Sequence, residues 1–389
     1  MKKIILLATL LCFSFNAIAQ VNYTEIKDAN GEKRQLKIQL PRNYAANKDK
    51  AYPVIIVLDG DYLFEPVSGI VDYYSYWDEM PESIVVGLNQ YGKKMDDFFL
   101  DEVSGLPTEF GETFMNFVTF ELFTFIDNNY RTIPQRTIIG HGQSANYINF
   151  YLLQQKPFFR SYISLSPNLS TNMENYLTER LTQETGLAED VFYSLTTAEH
   201  DRKKNKTKIV ALNKKLETVN DSLFHYNYNY FKGKTHYELV NHALPNAFEA
   251  IYKTFKPIDR KEYKEKVLTY DEGTAYDYLI KKYASIKRLY GIDKRIRLND
   301  FNAAEAALRK NEEWEAFKQL SKLAREQYPD AMLSYYYKGI FYENSEENPE
   351  PKKAMKAYMS AYTMDEIGNL TKDGMLELAE KIKADFGYK

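Results

Sequence analysis

Few residues of this chain stand where side-chain chemistry would be expected. The clearest group is Thr137-Ile138-Ile139-Gly140-His141-Gly142-Gln143-Ser144-Ala145. An apolar run enters a glycine-flanked turn, and Tyr147, Ile148, Phe150, Tyr151 and Leu152 then continue at helical spacing. A sharp strand–turn–helix junction strains its central residue and lifts that side chain above the sheet, which is how a nucleophilic hydroxyl is presented. Here the central residue is Gly142, which carries no side chain. The single cysteine is Cys12, close to the N-terminus, so no thiol nucleophile, thiolate ligand or internal disulfide is expected. The five histidines show no His-x3-His pair with a carboxylate, so no metal is expected, and nothing calls for a cofactor.

The elements that must position this junction are legible from hydrophobic periodicity. Tyr52 to Leu58 is almost continuously apolar, as a strand buried on both faces of a sheet would be. Ser83–Gly87, Thr137–Ile139, Tyr162–Leu165 and Val191–Leu195 read the same way. Between them, Glu112 to Tyr130 places Phe114, Phe117, Phe120, Leu122, Phe123 and Ile126 at helical spacing. Such alternation predicts an α/β fold with a mostly parallel sheet and helices on both faces. Residues 22–40 predict an antiparallel pair joined at Asp28-Ala29-Asn30-Gly31.

Composition narrows the function classes. The formal charge of −3 is near balance with both signs interspersed, unlike the basic footprint of a nucleic-acid-binding protein. Hydrophobic residues make up 44% of the chain, enough for a real core, and no segment after the N-terminus is long and apolar enough for a membrane span. Residues 1–19 read as a bacterial export signal: Lys2 and Lys3, an apolar run from Ile4 to Phe15, then Ala17-Ile18-Ala19 as the cleavage pattern. Leu11 stands where a small residue should precede a lipidated cysteine, so Cys12 reads as part of a cleaved signal. The protein is therefore expected in the periplasm or at the cell exterior.

The junction resembles the Gly-His-Ser-x-Gly-Gly elbow of the esterase D and enterochelin-esterase-like family of α/β hydrolases. Further family landmarks follow in order across roughly residues 25–257. Leu58-Asp59-Gly60-Asp61 resembles the strand end and Asp-Gly loop that supplies an oxyanion donor. Ile84 to Asn89 resembles the next strand, and Ser164-Leu165-Ser166-Pro167-Asn168-Leu169 resembles the strand end after the elbow helix. Gly233-Lys234-Thr235-His236, followed by Ala243 to Ala247, resembles the loop and helix bearing the catalytic histidine. The resemblance implies His236 as base. Its acid partner should follow the strand Val191–Leu195, with Glu199 as first candidate and Asp201 as second. It also implies Gly60, Asp61 and Gln143 as the oxyanion hole, and Asn89, Tyr91 and Lys93 as substrate contacts.

The departure is at the nucleophile. Gly142 stands where the family has serine, and Ser144 and Ala145 replace the two glycines that follow. Glycine tolerates the turn's backbone but offers no hydroxyl, and without it no acyl-enzyme forms. Loss of a triad serine costs about 10⁶ in turnover, roughly 8 kcal/mol of barrier. Ser144 lies in the first turn of the elbow helix, where its side chain should point away from the vacated spot. Ser166 reads as structural.

After Pro257 the rhythm changes. Residues 258–275 read as a charged linker, and residues 276–389 as an all-α region. Tyr335, Gly339 and Tyr342, with Ala354, Tyr358 and Ala361 after an insertion near Asn348, resemble a tetratricopeptide repeat; Trp314, Ala316, Phe317, Leu320 and Ala324 are a looser match. Two readings follow. In the first, residues 20–257 form a catalytically impaired hydrolase domain kept for binding. A small ester-like ligand would occupy its cleft, and a protein or peptide partner would bind the helical repeats. In the second, the chain is an active carboxylic-ester hydrolase that uses a non-standard nucleophile or a water activated by His236.

Overall fold

The computed structural model describes residues 21–183, 186–345 and 349–388. The export signal expected at residues 1–19 lies outside the described residues, as does Asn348 of the insertion. The chain divides into two units, residues 1–253 and residues 254–389.

The first unit is built on an eight-stranded sheet in the order β1-β2-β4-β3-β5-β6-β7-β8. The strands are β1 (Val21–Lys27), β2 (Lys33–Gln39), β3 (Tyr52–Val57), β4 (Ile84–Leu88), β5 (Thr132–His141), β6 (Ser161–Leu165), β7 (Val191–His200) and β8 (Phe224–Thr235). The hairpin β1–β2 and the pair β2–β4 are antiparallel, and every remaining pair is parallel. The hairpin turn is held by Asp28, whose carboxylate accepts from the N–H groups of Asn30 and Glu32. Strands β3 and β4 are buried at every position, as their unbroken apolar sequences require. The chain passes from β3 to β4 on one side and reaches β5 on the other. This switch opens a crevice at the strands' carboxyl ends, where open α/β sheets bind ligands.

Helices join the strands: α1 (Gly60–Tyr76), α2 (Glu109–Asn116), α3 (Gln143–Tyr147), α4 (Met173–Thr182), α5 (Lys203–Leu216) and α6 (Leu239–Ile251). The Asp-Gly loop read after β3 is itself the start of a helix, since α1 begins at Gly60. The single helix expected over residues 112–130 is helical from Glu109 to Asn129, with a π-helical stretch over Phe117–Leu122. Strand β8 has no counterpart among the expected strands. Its alternating Tyr and Asn residues, at Tyr226, Asn227, Tyr228, Asn229 and Tyr230, make an edge strand without an apolar run.

The second unit is helical throughout its named elements: α7 (Ala275–Tyr290), α8 (Leu298–Lys310), α9 (Ala316–Gln327), α10 (Leu333–Asn344), α11 (Pro351–Ala361) and α12 (Lys372–Phe386). The expected linker is not an open tether. Residues Arg260–Glu262 and Tyr263–Val267 form helical turns, Val267 is buried, and the Ile258 N–H donates to the buried carboxylate of Asp300 at 2.8 Å. Charge on Lys261, Lys264 and Lys266 marks the exposed face of these turns rather than a flexible spacer. One core cluster gathers Met332, Ala354, Tyr358, Ala361, Met375, Ala379 and Ile382.

Candidate functional site

The carboxyl ends of β3, β5, β6 and β7 bring together Asp59, His141 and Gly142, Ser166, and Asp201. The segment between β8 and α6 adds His236. Gly142 has φ 67° and ψ −110°, a conformation an L-residue adopts only under strain. It joins β5 to α3, and its carbonyl accepts from the N–H of Asn168 at 2.8 Å. A Cβ built on Gly142 would lie 3.7 Å from His236 Nε2 and 3.8 Å from its Cε1. Apart from the adjoining residues, it would meet nothing else within 4 Å.

His236 is buried and its orientation is determined by Asp201. Its Nδ1 lies 2.9 Å from Asp201 Oδ1 and 2.9 Å from Ser166 Oγ. An ionised carboxylate only accepts, so Nδ1 carries the hydrogen and Nε2 is directed at Gly142. The Ser166 hydroxyl donates to Asp201 Oδ2 at 2.6 Å, the Thr197 hydroxyl donates to the same oxygen at 2.8 Å, and the Arg202 N–H donates to Oδ1 at 2.7 Å. Burial alone would raise the Asp201 carboxyl. The hydrogen bonds from His236, Ser166, Thr197 and Arg202 overcome it and hold the group down at about 2. Ser166 reaches this position in a left-handed conformation, φ 45°, which is strained for serine.

Asp201, and not Glu199, is therefore the acid beside His236. Glu199 is exposed, and its carboxylate accepts from the Gly233 N–H at 2.8 Å. The register of β7 on β8 shifts between Ala198 and His200, and the Asp201 N–H turns back to the Ala198 carbonyl at 3.3 Å. This irregularity re-aims the strand end and delivers the later acid to the histidine.

The ring of His141 packs on that of His236, with centroids 4.3 Å apart. Its Nε2 faces the His236 carbonyl at 3.1 Å and must donate there, so Nδ1 accepts from the Tyr62 hydroxyl at 3.0 Å. Burial, then the neighbouring imidazole of His236, pushes His141 down to about 4, so it is uncharged near neutral pH. Burial, with Asp59 nearby, pushes the Tyr62 phenol well up, so it stays a hydroxyl.

Ser144 is turned away from His236. Its Oγ accepts from the His141 N–H at 2.8 Å and donates to Asp59 Oδ2 at 2.6 Å. Asp59 also holds Lys94 Nζ at 2.5 Å, and its N–H donates to Gln90 Oε1 at 2.8 Å. Gln90 passes the network on to Asp97, which Arg34 grips at 2.6 Å. The elbow is thus braced by a chain of buried polar groups.

The remaining expected residues are placed as follows. Gly60 is buried at the start of α1, the Asp61 carboxylate accepts from the Gln90 N–H at 2.7 Å, and Gln143 is the exposed residue directly after Gly142. Asn89 is turned to β2, donating to Gln35 Oε1 at 2.7 Å, and Lys93 pairs with Glu32. Both serve the sheet edge rather than the histidine pair. Tyr91 is almost fully exposed. The structure instead brings Lys94, Tyr62 and Tyr237 toward the site. Lys94 lies over the Tyr62 ring, and the Tyr237 ring is 5.0 Å from His236 and 6.0 Å from His141. In the sequence, adjacency to Lys93, Asp61 and His236 was the only signal for these three. Among the described residues no group of three His, Cys, Asp or Glu side chains converges as a metal would require.

Comparison with known proteins bears on the family and the fold. The family described as "Putative esterase" matches residues 28–251. A crystal structure of an uncharacterised protein from Capnocytophaga ochracea superposes with a TM-score of 0.84 at 28% identity, covering 94% of this chain and all of that one. An IroE-like serine hydrolase from Shewanella oneidensis gives a TM-score of 0.60 at 18% identity over 79% of this chain and 99% of that one. A siderophore hydrolase from Aspergillus nidulans, EstB, gives 0.51 at 13% identity over 62% and 97%. The last two likenesses establish the fold alone. The search among curated proteins gave no match.

Proposed function

The chain belongs to this esterase family, and from that premise we propose that its first unit is a hydrolase fold that binds its ligand without cleaving it. The observation that carries the reading is the relation of Gly142 to His236. The histidine is oriented as a base, its acid is ionised, and the residue facing Nε2 has no hydroxyl to give up its proton. Among the described residues, no side chain is hydrogen-bonded to Nε2. Ser144 and Ser166, the hydroxyls nearest in sequence, are committed to Asp59 and Asp201. We further propose that the protein is exported, on the strength of Lys2, Lys3, the apolar run and Ala17-Ile18-Ala19. The second unit then acts as a tetratricopeptide-like contact surface for a protein or peptide.

Hydrolysis of p-nitrophenyl acetate and butyrate by the wild type, Gly142→Ser and His236→Ala tests this reading. We expect an inert wild type and activity gained in Gly142→Ser. Wild-type turnover abolished by His236→Ala would overturn it. That outcome belongs to a second reading, favoured by the intact Asp201–His236 pair, in which a water in front of Gly142 gives its proton to Nε2 and attacks the ester directly.

A further inference from the structure

The space in front of Gly142 has a defined chemical character. His236 is more than nine-tenths buried, and its Nδ1 is occupied by Asp201 and Ser166, so Nε2 alone faces the space. A ring nitrogen turned to an open space can accept a hydrogen bond from whatever enters it. The other charged or titratable groups around it are already engaged. Both nitrogens of His141 are used, by Tyr62 and by the His236 carbonyl. Lys94 is neutralised by Asp59. Arg202 lies by the Tyr237 hydroxyl at 3.3 Å, and the Asp201 carboxylate accepts four hydrogen bonds. Among the described residues, one proton-accepting atom is therefore open to a ligand, Nε2 of His236.

With Nδ1–H donated to Asp201, neutral His236 presents a lone pair at Nε2, to which an ester or amide carbonyl offers nothing. A carboxylic acid is different, because acid and imidazole together hold one proton and form a charge-assisted hydrogen bond whichever of them carries it. One carboxylate oxygen fits where a side chain on Gly142 would lie, 3.7 Å from His236 Nε2. Tyr237 flanks both imidazoles and Tyr62 flanks that of His141, and both rings are substantially exposed.

We propose that the space between Gly142 and His236 is a carboxylate-binding subsite that takes the free-acid group of an aromatic monocarboxylate, with its ring between Tyr62 and Tyr237. The missing serine makes the room, so the subsite takes the acid where a complete triad takes the ester. The proposal rests on the binding reading given above.

Calorimetric titration of the protein with benzoate tests it, with benzamide and methyl benzoate as neutral controls. Benzoate should bind one to one with uptake of close to one proton, read from two buffers of different ionisation enthalpy. Benzamide and methyl benzoate should bind at least about tenfold more weakly. His236→Gln should weaken benzoate at least about tenfold. Gly142→Ala should do the same by filling the space while leaving the His236 ring-nitrogen resonances in place, so that a folding defect in this variant is recognised. Absence of saturation to about 50 mM benzoate, binding without proton uptake, or binding indifferent to both substitutions would overturn the subsite. A wild type inert toward p-nitrophenyl esters that also fails to bind benzoate removes this inference alone. Ester turnover lost in His236→Gln removes the reading beneath it as well.

Discussion

Replacing Gly142 with serine should create an esterase and destabilise the fold together. The Cβ position lies 3.7 Å from His236 Nε2 with no other atom beyond the adjoining residues within 4 Å, so a hydroxyl one bond further can reach hydrogen-bonding distance. The backbone already has the geometry, φ 67° and ψ −110°, that a serine would have to adopt. Holding an L-residue there costs about 1–3 kcal/mol that glycine does not incur. At roughly 2–4 °C per kcal/mol for a domain of this size, thermal unfolding should fall by about 2–12 °C. In a tuned triad the serine is worth about 10⁶ in turnover. In a site whose other residues have drifted, a gain of at least about 10²-fold, near 2.7 kcal/mol of barrier, is expected. The assay is p-nitrophenyl butyrate hydrolysis with a pre-steady-state burst, supported by a mass increase after phenylmethylsulfonyl fluoride treatment. A folded Gly142→Ser protein that keeps the Asp201–His236 pair yet shows neither burst nor labelling would refute the reasoning, because oriented base and nucleophile would then be present without chemistry.

Four further outcomes follow from the same geometry. His141 is depressed to about 4 from an unfolded value near 6.5, so the unfolded chain binds the extra proton between those values. Stability should drop by about 3 kcal/mol as pH falls from 6.5 to 4, visible as a urea midpoint shift that His141→Gln removes. Asp201 behaves in the same sense but lower: its contribution, roughly 2–3 kcal/mol, is present above about pH 4 and is lost as pH falls toward 2. Ser144→Ala leaves the His141 N–H and one oxygen of Asp59 without their buried partner, and should cost about 1–3 kcal/mol in chemical denaturation. Gly140→Ala places a methyl 2.5 Å from the Ser144 carbonyl carbon, so it should destabilise the first unit by more than about 3 kcal/mol or abolish soluble expression.

Much of the framework was legible in the chain because burial on both faces leaves an unbroken apolar signature, as in β3, β4 and β6, and because the elbow compresses strand, glycine turn and helix into nine residues. Those signals are local. Strand β8 leaves no apolar run because its face is polar and aromatic, and in the charged stretch 258–275 exposed lysines conceal a buried Val267.

The sequence by itself determined that a hydroxyl is missing: Gly142 is glycine in any fold, and the order of motifs around it names the elbow. Only the tertiary structure decided which groups face that gap. Glu199 and Asp201 are both acids after the same strand, and a bulge with a reversed backbone bond sends one to Gly233 and the other to His236. Lys93 and Lys94 are adjacent, yet one closes on Glu32 at the sheet edge and the other on Asp59 beneath the elbow. Neighbours in sequence differ by a rotation of the backbone, and that rotation is set by long-range hydrogen bonds that no local pattern encodes.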